Sequence, residues 1–233
     1  GRALEQLVEV DVVVFDKTGT LTEGHPSVVE FTVFDQNGAP DEFVDADKFK
    51  HLLQLSTSLE QGLNHPIAKA IRDFAEEQDV DVIDCESWDY RVGRGVVATV
   101  NGETVLLGNS KLLREEGVEI WTVDSKPELD VATPIYLAVD GLLAGIHYAL
   151  DRVRPDTSAM IAELHNRGIE AHMLTGDISS VAHAVAADIG LQPHEVHSDA
   201  LPDQKAELVQ EFTAAGKKVV FVGDGINDSA ALA

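Results

Sequence analysis

The chain has 233 residues, of which 44% are hydrophobic, and its 41 acidic and 17 basic side chains give a formal net charge of −24. This length and apolar content can bury one large core or two modest ones. So acidic a chain excludes the clustered Lys and Arg that nucleic acids and anionic membranes require, and it predicts a self-repelling monomer. The single cysteine, Cys85, excludes a disulfide framework and predicts a reducing, cytosolic setting.

The first 140 residues predict strands, helices and tight turns. Val12–Phe15 is an apolar run too short for a helix, so it predicts a buried strand that ends at Asp16. Asn101-Gly102 predicts a β-hairpin, and Asn64 is the predicted N-cap of a helix that begins at Pro66. The predicted elements are a helix at 4–10, strands at 12–15 and 27–34, helices at 46–59 and 66–78, strands at 88–92, 96–100 and 104–107, a helix at 109–116 and a strand at 133–139.

After the Asp140-Gly141 turn, predicted strands and helices alternate. The strands are 142–150, 169–174, 195–197 and 218–222, and the helices are 156–167, 179–189 and 203–214, with another beginning near 227. Such alternation predicts a parallel sheet with right-handed crossovers, to which the strand ending at Asp16 also belongs. The predicted fold class is therefore α/β: a doubly wound parallel-sheet domain made of residues 1–29 and 141–233, with an α+β domain of residues 30–140 inserted into it.

Four loops of this predicted sheet carry residues that suit phosphoryl transfer. Because the carboxyl ends of parallel strands share one edge, we expect these loops to converge. They contain Asp16-Lys17-Thr18-Gly19-Thr20, Thr175-Gly176-Asp177, Lys205 at the start of a helix, and Gly223-Asp224-Gly225-Ile226-Asn227-Asp228. Asp16 can attack a γ-phosphorus to form an aspartyl-phosphate, and Asp224 with Asp16 can hold Mg²⁺. Thr175 and Lys205 can donate hydrogen bonds to phosphoryl oxygens as charge develops there.

These motifs together resemble the P-type ATPases of the haloacid-dehalogenase superfamily, over essentially the whole chain. Asp151-Arg152-Val153-Arg154-Pro155 resembles the hinge between the phosphorylation and nucleotide domains of that family. The resemblance implies that Asp16 is phosphorylated and that Asp16, the carbonyl of Thr18 and Asp224 bind magnesium, with Asp228 in support. The residues that we expect to contact phosphate are Lys17, Thr18, Thr175, Gly176, Lys205 and Asn227.

Thr18 distinguishes two kinds of enzyme within this superfamily. The phosphatases of the superfamily resemble one another in having an acidic residue two positions after the nucleophile. This acid activates the water molecule that hydrolyses the phospho-enzyme. A threonine cannot act as that base at neutral pH. We therefore expect an aspartyl-phosphate that persists until another element of the protein hydrolyses it, as the cycle of a pump requires.

The inserted domain resembles the nucleotide-binding domain of heavy-metal-transporting P-type ATPases. The residues that carry this resemblance are Glu60, His65, Gly93, Gly95, Gly108 and Asn109. It implies that Glu60 and His65 contact adenine and that the glycines allow the nucleotide to approach closely. Asn64 stands where that subfamily usually has Glu before the His-Pro pair, so this position brings no charge.

We expect the catalytic fragment of an ATP-driven metal pump, with copper as the transported ion and the rest of the polypeptide supplying transmembrane and actuator domains. It would lie at the cytosolic face of a membrane and use Mg²⁺ and ATP. One alternative is a free-standing phosphatase, against which Thr18 and the inserted domain argue; another is a protein that only binds nucleotide. His194 and His197 are interpreted as a solvated surface pair rather than as metal ligands.

Overall fold

In the computed structural model of the protein, residues 10–35, 37–121, 126–200 and 202–223 are described. The chain divides into two compact units: Gly1–Gly24 with Asp151–Ala233, here called the parallel unit, and His25–Leu150, the antiparallel unit. The strands are β1 (Val12–Asp16), β2 (Ser27–Val33), β3 (Ser87–Arg91), β4 (Gly95–Val100), β5 (Glu103–Gly108), β6 (Thr133–Val139), β7 (Leu142–Leu150), β8 (Glu170–Leu174), β9 (Val196–His197) and β10 (Val219–Val222). The α-helices are α1 (Ala46–Leu59), α2 (Pro66–Glu77), α3 (Ser110–Glu115), α4 (Thr157–Asn166), α5 (Ser179–Ile189) and α6 (Pro202–Ala214).

The parallel unit is built on a four-stranded sheet in the order β10-β1-β8-β9, and every neighbouring pair in it is parallel. β1 lies inside the sheet between β8 and β10, and all five of its residues are buried. Val12 and Val14 pack with Leu208 and Phe212 of α6 on one face. A strand covered on both faces has an uninterrupted apolar sequence, which is why this short run could be recognised as a buried strand.

The antiparallel unit is built on a six-stranded sheet in the order β2-β7-β6-β5-β4-β3, with antiparallel pairing throughout. One face packs against α1 and α2, whose inward residues include Leu53 and Ile71. The other face packs against α3 through residues that include Leu112 and Leu113. The predicted fold class, a parallel α/β domain with a separate α+β domain inserted into it, is confirmed.

The assignment of the 142–150 strand to the parallel sheet is wrong. β7 pairs with β2 and β6 in the antiparallel sheet, because Asp140 and Gly141 adopt positive φ angles of 48° and 80° and form a two-residue hairpin turn after β6. The junctions between the units consequently fall at 24/25 and 150/151, rather than at the predicted 29/30 and 140/141.

Two predictions of local structure have different outcomes. The Asn101-Gly102 hairpin is confirmed, since β4 and β5 pair directly across it. The predicted Asn64 cap of α2 is wrong: His65 is the N-cap, and its ring Nδ1 accepts a hydrogen bond from the backbone N–H of Ile67 at 3.3 Å.

The predicted helices at 4–10 and near 227 lie outside the described residues. Within the described part of the chain, no helix has the length and apolar content needed to cross a membrane.

Candidate functional site

Asp16 is the last residue of β1, at the carboxyl end of a strand that has parallel neighbours on both sides. It is paired with Leu174, the last residue of β8, so the next residue along β8, Thr175, lies at the same edge of the sheet. The Asp16 side chain is largely buried, with 7% of the residue exposed, and Thr175 is 3% exposed. This is the edge at which open α/β sheets hold their ligands, and the predicted convergence of these two loops is observed.

An ion pair joins the first two loops at this edge. The Lys17 ammonium contacts the Asp177 carboxylate, and both side chains are mostly buried, 6% and 12% exposed. The Thr175 hydroxyl donates a hydrogen bond to the same carboxylate at 2.9 Å and accepts one from the Asp177 N–H at 3.1 Å. Lys17 therefore pairs with Asp177 in this structure, and its expected contact with phosphate stays a prediction.

The loop after Asp16 is held from its far side by the segment that re-enters the parallel unit. The Asp151 carboxylate accepts hydrogen bonds from the Thr22 hydroxyl at 2.5 Å and from the Gly24 N–H at 3.0 Å. The Arg154 guanidinium donates to the carbonyls of Gly19 at 3.1 Å and Thr20 at 3.0 Å. Asp151 and Arg154, two of the three charged residues of the hinge-like motif, thus fix the backbone shape of the loop that carries Asp16 and Thr18.

Gly176 follows Thr175 at the same edge of the sheet. A Cβ atom added there would meet only the carbonyl oxygen of Ala200, at an ordinary 3.6 Å. The surrounding described residues therefore leave open space beside this glycine, as a contact between its backbone N–H and a phosphate requires.

The remaining predicted site residues of the parallel unit lie at or beyond the limit of the described residues. Lys205 lies in the first turn of α6, and its side chain is not among those described. β10 ends at Val222 beside β1, while Asp224, Asn227 and Asp228 lie outside the described residues. Of the expected magnesium ligands, the Asp16 carboxylate and the Thr18 carbonyl are described. Both are oxygen donors, the ligand type that Mg²⁺ prefers, so the residues present fit this cation.

His197 does not form the solvated pair expected with His194. Its Nε2 lies 3.1 Å from Nδ1 of His172, and the two rings pack against each other with centroids 5.3 Å apart. Burial lowers the pKa of both imidazoles. Among the described residues, no three His, Cys, Asp or Glu side chains cluster as metal ligands would.

In the antiparallel unit, Glu60 and His65 flank the turn between α1 and α2. Glu60 is the C-cap of α1, and only 7% of the residue is exposed. Burial raises the pKa of its carboxyl to about 7, against the opposing effect of the nearby Arg72 charge. Desolvation lowers the pKa of the His65 imidazole. Near neutral pH the carboxyl is therefore partly protonated and the imidazole is neutral. Both groups can then form hydrogen bonds with a nucleotide base, which carries donors as well as acceptors.

A cavity of about 360 Å³ opens beside this turn. It is lined by Ser58, Gln61, Gly62, Cys85 and Trp88. The Trp88 indole N–H donates to the carbonyl of Leu59 at 2.9 Å, which attaches β3 to the last turn of α1. The volume is within the usual range for small-molecule sites.

Gly95 and Gly108 face each other in the pairing of β4 with β5. A Cβ on Gly95 would lie 2.2 Å from the Leu107 carbonyl oxygen, and one on Gly108 would lie 2.3 Å from the Arg94 carbonyl oxygen. The two glycines are thus required by the close approach of their own strands, a role that the sequence analysis missed.

Asn109 caps α3 through the N–H groups of Lys111 and Leu112, both at 3.1 Å. Its side-chain amide also donates to the carbonyl of Gly93 at 2.9 Å, linking two of the predicted nucleotide loops.

Asp177 and Arg72 are the site residues that the sequence analysis did not assign. Asp177 was visible as the acid of the Thr-Gly-Asp motif, but its partner, Lys17, is distant in the sequence. Arg72 lies seven residues after His65 on α2, about two helical turns away, and this spacing is the only sequence signal for it. Its Nη1 donates to the carbonyls of Glu60 at 2.5 Å and Leu63 at 3.1 Å.

Comparison with known proteins gives concordant sequence matches. Residues 10–233 match the family described as haloacid dehalogenase-like hydrolase. A copper-exporting P-type ATPase of Vibrio cholerae is 37% identical in an alignment 235 residues long, which covers 99% of this chain and 24% of that protein. A zinc-exporting P-type ATPase of Mycobacterium marinum is 35% identical over 238 residues, 100% of this chain and 31% of that protein. The chain spans about a quarter of the length of the first curated relatives that it matches.

Solved structures give the same result. The catalytic domain of the CPx-ATPase CopB-B, from work on its conformational changes upon nucleotide binding, has a TM-score of 0.70 and 25% identity over 99% of this chain and 80% of that chain. A zinc-transporting PIB-type ATPase in the E2.Pi state has a TM-score of 0.56 and 32% identity over 98% of this chain and 35% of that chain. The resemblance to heavy-metal P-type ATPases is confirmed.

Proposed function

This chain belongs to the haloacid dehalogenase-like hydrolase family, and we propose that it is the ATP-binding, autophosphorylating catalytic part of a heavy-metal cation pump. The observation that carries the proposal is the edge of the parallel sheet. There, a buried Asp16 ends the inner strand β1, and the loop after it is joined to the Thr175 loop by the Lys17–Asp177 ion pair. A rigid carboxylate at such an edge is suited to in-line attack on a phosphoryl group.

In the proposed reaction, a carboxylate oxygen of Asp16 attacks the γ-phosphorus of ATP. A new O–P bond forms while the bond between the γ-phosphorus and the β–γ bridging oxygen breaks, and ADP leaves with that electron pair. Bound Mg²⁺, held by Asp16, the Thr18 carbonyl and Asp224 with support from Asp228, would neutralise charge on the phosphate oxygens. The proposed phosphate contacts are Lys17, Thr18, Thr175, Gly176, Lys205 and Asn227.

Thr18 supports a pump rather than a phosphatase. Its hydroxyl cannot accept a proton from water at neutral pH, so this loop supplies no general base for hydrolysing the aspartyl-phosphate. The phosphorylated state can then last long enough for its energy to be coupled to movement of an ion. A free-standing phosphatase would lose that coupling, because water would consume the intermediate at once.

We propose that ATP binds in the antiparallel unit. Glu60 and His65, which flank the α1–α2 turn beside the 360 Å³ cavity, would contact the base. Gly93, Gly95, Gly108 and Asn109 would form the second side of the nucleotide site, where two loops are tied together by the Asn109–Gly93 hydrogen bond. Support also comes from the CopB-B catalytic domain, whose structural study concerns nucleotide binding.

We further propose that the complete protein carries transmembrane and actuator domains, and that this catalytic part, as a monomer, works at the cytosolic face of the membrane. Similar proteins are named as exporters of copper, zinc and manganese. Copper is the ion that we propose. ATP hydrolysis by the full-length chain that is stimulated by Cu⁺, and by neither Zn²⁺ nor Mn²⁺, would support copper; the reverse pattern would exclude it.

The test of the phosphorylation step is labelling with ATP radioactive at its γ-phosphorus, quenched in acid. The parent chain should incorporate label only with Mg²⁺, and hydroxylamine should release it, as expected for an acyl-phosphate. Asp16→Asn should incorporate none. Asp188→Asn, which changes an exposed acid of α5 in the same unit, should label like the parent. Equal labelling of Asp16→Asn and the parent would remove Asp16 as the nucleophile.

A further inference from the structure

The turn between α1 and α2 is anchored where the partly buried Leu63 packs against the core, and it is exposed at its tip. Gln61 and Gly62 at its tip are exposed, and both border the cavity beside it. Within the turn, the Leu63 N–H donates to the carbonyl of Glu60 at 3.3 Å, a long hydrogen bond. A turn so weakly closed needs another contact to keep Glu60 and His65 at a constant separation.

Arg72 provides that contact from the second turn of α2. A single guanidinium nitrogen, Nη1, donates to the carbonyls of both Glu60 and Leu63, at 2.5 and 3.1 Å. Glu60 and Leu63 are the first and last residues of the tight turn that the Leu63 N–H closes. The planar guanidinium therefore holds the two ends of the turn together, and it attaches them to the helix whose first residue follows His65.

The charge of Arg72 acts on the same site. Glu60 is buried, which raises the pKa of its carboxyl, and the positive charge of Arg72 opposes that rise. The guanidinium cannot lose its proton in a protein, so this influence is constant over the working pH range. One side chain thus affects both the position of Glu60 and its charge state.

We propose that Arg72 is a positioning residue for the nucleotide: its guanidinium clamps the Glu60–Leu63 turn, so that Glu60 and His65 are held in the arrangement that the base requires. This inference rests on the proposed nucleotide site. It goes beyond it because Arg72 does not touch the nucleotide but acts through the turn. Loss of the clamp should weaken nucleotide binding and leave the phosphoryl-transfer residues of the parallel unit unchanged.

The test is calorimetric titration of ATP against the parent, Arg72→Met, Arg72→Lys and Lys69→Met, well below their melting temperatures. Lys69→Met is the matched control, since it removes one positive charge from the same helix and its ammonium pairs with Asp73 instead. Arg72→Met should raise the dissociation constant about tenfold or more, as expected for losing charge-assisted hydrogen bonds. Arg72→Lys should give an intermediate value, because its ammonium keeps a charged donor on a shorter side chain, and Lys69→Met should stay within about twofold of the parent.

Two measurements without ligand separate this inference from the nucleotide site itself. In Arg72→Met, the midpoint of the Glu60 carboxyl titration, followed by ¹³C NMR, should move to higher pH, and amide exchange at residues 61–63 should become faster. A change confined to overall stability would leave the titration midpoint of the folded protein unmoved. If the parent binds ATP and Arg72→Met binds it equally tightly, the inference is wrong while the proposed site stands. A parent that binds no ATP would overturn both.

Discussion

In the parallel unit Asp16 and Thr175 stand at the carboxyl ends of two buried strands, whereas in the antiparallel unit Glu60 and His65 stand at the ends of helices. Asp16 and Thr175 extend two adjacent strands, and a buried ion pair joins their loops. Glu60 and His65 instead cap two helices, and the guanidinium of Arg72 donates a hydrogen bond to the carbonyl of Glu60. The first arrangement is rigid because the sheet determines it; the second depends on a few hydrogen bonds to carbonyls in a turn.

This difference suits the two tasks. Attack on a phosphorus atom requires a carboxylate whose position is defined to a fraction of an ångström, which a strand within a sheet can provide. Binding of a base tolerates more adjustment, and a turn that can open admits and releases the ligand. We therefore expect substitutions in the parallel unit to change the chemistry, and substitutions in the antiparallel unit to change affinity or local stability.

The largest expected effect beyond loss of Asp16 is that of Thr18→Asp. An acid at this position would act as a general base toward water, so the aspartyl-phosphate should hydrolyse about a hundredfold faster or more. The labelled fraction at steady state should fall while the release of inorganic phosphate rises. Rapid-quench measurement of phospho-enzyme decay after a chase with unlabelled ATP follows this directly.

The matched control is Thr18→Asn, which is nearly the same size as the aspartate variant but cannot take a proton from water. It should keep the slow decay of the parent. If both variants decay at the parent rate, the side chain at this position does not decide the lifetime of the intermediate. The contrast between a pump and a phosphatase would then have to rest on another residue.

Lys17→Met should give the next largest effect, on the stability of the parallel unit. It leaves the Asp177 carboxylate, only 12% exposed, without its ammonium partner. Breaking a buried pair from one side costs about 3–5 kcal/mol of unfolding free energy. Hydrogen exchange of the β1 amides under native conditions measures this loss within the parallel unit.

The double variant Lys17→Met/Asp177→Asn controls for the mostly buried negative charge of Asp177, which loses its ammonium in Lys17→Met. It should be more stable than Lys17→Met alone, because the asparagine removes that charge from this edge of the sheet. A double variant as unstable as the single one, or less stable, would contradict an account in which the negative charge of Asp177 causes the loss. The antiparallel unit should unfold like that of the parent in both variants.

The smallest effect concerns His147 in the antiparallel unit. This imidazole is fully buried between Phe31, on which it stacks at 3.9 Å, and Ser56, whose hydroxyl lies 2.8 Å from its Nε2. Burial lowers its pKa from 6.5 to about 3, so between these values only the unfolded chain binds the proton. The free energy of unfolding should fall as the pH drops below 6.5, by up to about 1.4 kcal/mol per pH unit, with no contribution above 6.5.

Urea unfolding of the parent and of His147→Phe between pH 7 and 4 measures this contribution as a difference. Glu60, whose pKa is raised, changes stability in the opposite direction as pH falls, and the subtraction removes it because both proteins contain it. Equal slopes for the parent and His147→Phe would show that the buried imidazole does not contribute.

Short-range features of the sequence predicted most elements correctly. The helix at 46–59 and the helix at 179–189 agree with α1 and α5, because apolar spacing and capping depend on neighbours a few residues apart. The strand at 142–150 was also predicted correctly as a strand, but its sheet was not. Its apolar sequence fits either sheet, and its pairing with β6 across the Asp140-Gly141 turn and with β2, more than a hundred residues away, places it in the antiparallel sheet.

The candidate sites show the same division. Asp16 and Thr175 could be chosen from the sequence, because each directly follows a buried strand and the edge of a parallel sheet brings such residues together. The role of Lys17 could not, since its pairing with Asp177 depends on how two loops meet in space. Gly95 and Gly108 were predicted for their approach to a ligand, whereas their approach to each other became visible only in the strand register.

By itself, the sequence determined the kind of chemistry that we propose for this chain, because a carboxylate, a hydroxyl and a glycine turn are local properties of the residues. It also determined that a threonine stands where a phosphatase would have an acid. Tertiary structure alone decided which partner each charged side chain finds. Lys17 pairs with Asp177, and Arg72 donates hydrogen bonds to the carbonyls of Glu60 and Leu63. Coulomb and hydrogen-bond energies depend on distance in space, and distance along the chain does not specify it.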